Sequence, residues 1–178
     1  MGVLMSACAI SKSLLVLASV LFFQNSWGAG VPACLDDHGQ ALPINNQNVL
    51  QMKTSTPNSF HARANVSGVV IKLYSDATCH HHFELQIGPG PTDTIEIIYN
   101  EQFGKFPSFT VGAKVVACGD YITSNRQTQF PASPDGAIIH WVHISPDLQR
   151  HPSGFLMING NLTGQSIGGG GQNCGGNN

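Results

Sequence analysis

The chain has 178 residues, only 10% of them charged, and a formal net charge of −2 at pH 7. That length supports a single packed core, and the charge content lies well below the quarter typical of soluble domains, so Asn, Gln, Ser, Thr and Gly must build much of the surface. The few Lys and Arg are scattered, which disfavours general nucleic-acid binding, because that needs a cationic stripe.

Lys12 precedes the apolar run from Leu14 to Phe23, and small residues follow in Ser26-Trp27-Gly28-Ala29-Gly30. A short basic region, a hydrophobic stretch and a small-residue exit predict a secretory signal over residues 1–30 and a periplasmic or secreted mature chain. The run is too short to span a bilayer comfortably. A buried core helix is the alternative, but no amphipathic period supports it. Cleavage is expected near residues 28–33. Cys34 follows closely enough for lipidation to be weighed, although Pro32 suits such a site poorly. No transmembrane segment is expected after signal removal.

The mature chain keeps Cys34, Cys79, Cys118 and Cys174. An even count in an oxidising compartment favours two disulfides, and four cysteines allow three connectivities. The preferred reading joins Cys79 to Cys118 within the domain and Cys34 to Cys174 across its ends. Zinc ligation by these cysteines is weaker, since none has Cys-x-x-Cys spacing.

Residues 31–60 read as an irregular segment with a short helical turn around Asn46 to Lys53. A first strand is predicted from Arg63 to Tyr74, with Gly68 marking a bulge or sharp bend. From His80 to Ile87 the residues alternate, His81, Phe83, Leu85 and Ile87 on one face and His80, His82, Glu84 and Gln86 on the other. Gly88-Pro89-Gly90-Pro91 is a loop. Further strands are predicted at Thr94–Asn100, Lys114–Ile122 and Ala137–His143, with a shorter extended piece at Phe155–Asn159. Residues 61–164 thus read as an all-β domain, a small five-stranded Greek-key barrel of the OB type. A β-sandwich is the alternative. Residues 165–178 read as a flexible Gly-rich tail.

One set of residues carries a resemblance: Val66-Ser67-Gly68-Val69, His80 with Phe83, Gly112, Val115 and Gly119-Asp120-Tyr121. Its most specific part is Ile139-His140-Trp141-Val142-His143, then Pro146 and His151-Pro152-Ser153-Gly154-Phe155. Over Val66 to about Gly164 the chain resembles the bacterial exported family called domain of unknown function 3465. The resemblance implies an OB-like fold and no particular activity. Ile144 and Ser145 stand where that family has His and Asp, Phe155 replaces a Trp, and Tyr99-Asn100 stands in for a His-Asn pair.

Eight histidines are many for this length. His80-x-His82-x-Glu84 places three candidate metal ligands on one strand face, and an open-sided Zn²⁺ there would activate water. His140 or His143 would complete the set if the fifth strand lies beside it, but the two together would chelate only at a bulge or strand end. The plainer reading leaves His80 and His82 solvated and His81 hydrogen-bonded in the core. Metal-free chemistry would use His140 as a general base oriented by Asp120. Trp141, His143, His151 and Phe155 form a second candidate, a shallow ligand site around a Pro-rich bend. There the plainer reading makes Trp141 a core plug. The favoured function is an exported binding or envelope-interaction module for a glycan or peptide. The alternative is a His-dependent, metal-assisted hydrolase or nuclease.

Overall fold

The computed structural model describes residues 30–76 and 79–168. The predicted signal segment and most of the Gly-rich tail, including Cys174, lie outside the described residues. So do Ala77 and Thr78 of the predicted first turn.

Among the described residues seven strands follow one α-helix: α1 (Asn46–Ser55), β1 (His61–Leu73), β2 (His80–Gln86), β3 (Thr94–Asn100), β4 (Lys114–Thr123), β5 (Ala137–His140), β6 (Phe155–Ile158) and β7 (Asn161–Thr163). Hydrogen bonding runs β1-β2-β3-β5-β4-β6-β7, and β1 also pairs with β4, which closes the first five strands into a barrel. β3 and β5 pair in parallel, and the other pairs are antiparallel. This is the OB-type barrel that the strand count and spacing predict.

Alternation explains why these segments are strands. Phe83 and Leu85 of β2, Ile95, Ile97 and Tyr99 of β3, Ala117 and Tyr121 of β4, and Ile139 of β5 are all fully buried. The residues between them face outward, which is how a half-buried strand satisfies both core and solvent. Tyr99 and Tyr121 enter the core with their hydroxyls bonded, to Gly104 O at 2.8 Å and to Thr123 Oγ1 at 2.9 Å.

β1 serves two partners in succession. His61 to Val69 pair with β4, and Val69 to Leu73 pair with β2. The register shift falls between Val70 and Lys72, so the bulge lies beyond the Gly68 expected from sequence. Gly68 has a different duty. A Cβ there would sit 2.1 Å from Gln86 O, so only glycine lets β2 approach as the strand coils round the barrel.

The segment before β1 is more regular than predicted. Asn45 caps α1 by accepting from Asn48 N–H at 3.0 Å, and Val49 enters the barrel core. Asn46 fixes the helix to the barrel, donating to Ser67 O and Ile87 O, both at 2.7 Å. The helix thus covers the end of the β2–β3 pair near Ile87. Phe106 and Phe109 cover its opposite end, stacking and edge-packing against Tyr99 and Phe83.

The expected disulfides are corrected. Cys34 bonds to Cys118, with a Cα separation of 5.6 Å. Neither Cys79–Cys118 nor Cys34–Cys174 can coexist with that bond. β1 separates the predicted partners: Cys118 lies opposite Asn65, while the start of β2 lies beside Leu73. Eight residues of strand span roughly 25 Å, against the ~7 Å limit for a disulfide.

Candidate functional site

The outer faces of β2, β3, β5, β4 and β1 carry a continuous polar band. His82 Nδ1 lies 2.6 Å from Glu96 Oε1. In register His82 faces Ile98 and Glu84 faces Glu96, so the bond is a diagonal cross-strand pair. Glu96 is only 6% exposed. A carboxylate accepts, so Nδ1 donates, and in the neutral imidazole Nε2 holds the lone pair. Nε2 has no hydrogen-bond partner among the described residues and is not a buried atom. Beside this pair, the His80 ring centroid is 6.5 Å from that of His82 and 5.9 Å from that of His140.

His140 does not receive the orientation proposed for a general base. Asp120 is its register partner on β4, but the carboxylate is engaged elsewhere. Oδ1 accepts from Arg63 Nη1 at 2.9 Å, and Oδ2 accepts from His151 Nε2 at 2.9 Å. Burial, followed by the neighbouring His80 and His143, pushes the His140 pKa down to about 4. An imidazole of that basicity is a poor proton acceptor. Arg63 in turn bonds Leu35 O and Ser153 O, tying the N-terminal segment and the loop before β6 to the barrel.

The ligand site expected at Trp141, His143, His151 and Phe155 is divided. β5 ends at His140, three residues short of the prediction, because Trp141 adopts φ +57. That turn drives Val142 into the core and stacks His143 on Phe103, with centroids 3.5 Å apart and planes 7° apart. His143 is 2% exposed and bonds Ile144 O through Nδ1. Its burial lowers its pKa, the Ile144 bond opposes this, and His151 adds to the lowering. Phe155 is buried beside the Cys34–Cys118 bridge. Trp141 packs between His143 and His151, at 4.7 and 4.4 Å, with its Nε1 buried and unpaired. Two of the four residues are therefore structural.

Nor does the His80, His82, Glu84 set form. Glu84 accepts from Tyr74 Oη at 3.2 Å, and the same hydroxyl donates to Asp135 at 2.9 Å, while Glu96 holds His82. Burial and then Asp135 raise the Glu84 pKa. Among the described residues no three His, Cys, Asp or Glu side chains are placed to hold a metal ion. His81, expected in the core, stacks on Phe106 at 4.1 Å, and its Nδ1 lies 2.8 Å from Asp76 Oδ2.

A cleft of about 660 Å³ opens beside His82, a size suited to a small ligand. The end of β1 supplies Leu73 and Tyr74, β2 supplies His81, His82 and Phe83, and residues 105–109 form the far wall. The sequence reading missed Glu96, Tyr74 and the Phe106–Phe109 wall. Glu96 had a signal, a carboxylate inside the apolar run Thr94-Ile95-Glu96-Ile97-Ile98, but its partner depends on register. No protein-family model matches the chain, and no curated protein matches it.

Proposed function

We propose that the protein is an exported OB-like module that binds a neutral glycan in the cleft between β2 and residues 105–109. The observation that carries this is the lining itself. Half-buried Phe106 and Phe109 give an apolar floor over the buried Phe83, while Tyr74, Asp76, His82 and Ser108 offer hydrogen-bonding groups around it. Aromatic faces suit the apolar face of a sugar ring, and fixed polar groups suit its hydroxyls. OB barrels commonly bind along β2–β3 and the adjoining loops. The exposed carboxylate of Asp76 on the cleft wall disfavours polyanions. A neutral peptide is the second ligand class. Among the described residues no helix is long and apolar enough to cross a membrane. The Cys34–Cys118 bond fits an oxidising compartment. Membership of the exported family named above belongs to this proposal, supported by the barrel and the quoted residues.

The test is a screen of neutral oligosaccharides and peptides by NMR shift perturbation, followed by titration of Leu73→Ala, whose side chain is 48% exposed on the cleft wall. The expected result is shifts centred on residues 73–83 and 105–109, with affinity reduced at least tenfold in the variant. Shifts confined to another face, or none with either ligand class, would overturn the reading.

A further inference from the structure

The pairing of His82 with Glu96 at the edge of the cleft has more chemical content than a binding wall requires. Both strands are fixed in the barrel, so the buried carboxylate holds the imidazole in one tautomer and one orientation. Glu96 Oε1 accepts the hydrogen bond from Nδ1, and His82, whose Nε2 makes no hydrogen bond among the described residues, lines a cleft of about 660 Å³. This is the base-and-orienter half of a hydrolytic site, with no side-chain nucleophile needed when water fills that role.

From this geometry we infer that His82 is a general base, positioned by Glu96, that hydrolyses an ester substituent on a neutral ligand seated in the cleft. In the step, Nε2 removes a proton from water as the water oxygen bonds to the acyl carbon. The ester C–O bond then breaks, and the leaving alkoxide takes the proton back from the imidazolium. The products are a carboxylic acid and an alcohol, with no oxidant or further reactant consumed. Lys105 is the one lysine or arginine lining the cleft and is available to the developing oxyanion.

The substrate class follows from what surrounds the pair. Cleaving a glycosidic bond calls for two carboxylates flanking it, and Glu96 is buried and committed to His82. A phosphodiester would bring negative charge toward Asp76, Glu84 and Glu96. An uncharged ester, such as an O-acyl group on a sugar, meets neither obstacle. The inference rests on the cleft being the ligand site, and its test separates the two.

The probe is 4-nitrophenyl acetate, with release of 4-nitrophenolate followed from pH 5 to 8.5 for the oxidised mature protein. Compared with wild type, His82→Gln should lose at least tenfold in second-order rate constant. The exposed, remote His61→Gln should not change it. Glu96→Gln should keep the ring in place and lower the rate, with Glu96→Asp restoring part of it. Thermal midpoints within ~2 °C of wild type would show that the Gln variants remain folded. If Glu96→Gln fails to fold, the His82→Gln comparison decides alone. Equal rates for wild type and His82→Gln would overturn the inference and leave the binding proposal standing. Loss of rate without any oligosaccharide or peptide shift at the cleft would overturn the binding proposal instead.

Discussion

His140 should make the fold acid-sensitive over a defined range. His80 and His82 face it from β2, Asp120 from β4 and His143 from the following turn, and its proton affinity is set chiefly by burial. Its folded pKa of about 4 lies below the ordinary 6.5. Over that interval the unfolded chain binds the proton more tightly than the folded one. The contribution to stability is therefore complete above about pH 6.5 and falls away as pH drops toward 4. The interval corresponds to about 3 kcal/mol, at about 1.4 kcal/mol for each tenfold change in proton affinity. Residual water access makes this an upper figure. Urea unfolding of wild type and His140→Gln, with disulfides intact, should be compared at several pH values from 7.5 to 4. Other groups titrate in both proteins, so the informative quantity is the difference between them. Wild type should lose up to about 3 kcal/mol more than the variant across this range. Parallel pH dependences would refute the reasoning, because His140 would then ionise freely in the folded state.

The disulfide gives a second prediction. Peptide mapping without reduction should recover Cys34 joined to Cys118, and the one four-cysteine connectivity containing that bond pairs Cys79 with Cys174. A Cys79–Cys118 peptide would contradict the structure. Cys34→Ser should cost about 4.5 kcal/mol on the chain-entropy model for a separation of 84 residues, measured by urea unfolding against wild type. The Arg63 side chain, 2% exposed, gives a third. Asp120→Ala removes its carboxylate partner and should cost about 3–5 kcal/mol at pH 7.5, because a buried charge is left uncompensated. A loss below about 1 kcal/mol would show that the bonds to Leu35 O and Ser153 O suffice.

The barrel was legible because its strands alternate. His80 to Ile87 announces its inward face by residue type and its burial follows that period, whereas in Thr94 to Asn100 the inward Ile95, Ile97 and Tyr99 have Thr94 and Glu96 buried beside them. What depended on pairing was not legible. The His82–Glu96 bond needs β2 and β3 in one register, and a shift of one residue would turn one of the two side chains inward. β7 is three residues long and exists because β6 supplies its hydrogen bonds. The end of β5 is set by positive φ at Trp141, a conformation that tertiary packing imposes on a non-glycine residue. Cysteine pairing failed for the same reason, since sequence separation says nothing about which strand lies between two thiols.

The most distinctive sequence pattern, from His140 to Phe155, turns out to serve architecture in several of its members. β4 offers one edge to two strands in succession: residues 120–123 pair with β5, and residues 115–118 pair with β6. The chain must therefore leave that edge after His140 and return at Phe155. Trp141 makes the exit, and Gly154 permits the return, because a Cβ there would lie 2.1 Å from Trp141 O and 2.4 Å from Cys118 O. His151 and Arg63 then hold the excursion to Asp120, while His143 anchors it on Phe103. Tyr99 is a core residue bonded to Gly104 O. Side chains so committed cannot move toward a ligand without opening the barrel edge. His82 differs from them: its carboxylate partner is fixed while its second nitrogen is open, which is why the functional proposals centre on β2 rather than on the more conspicuous motif.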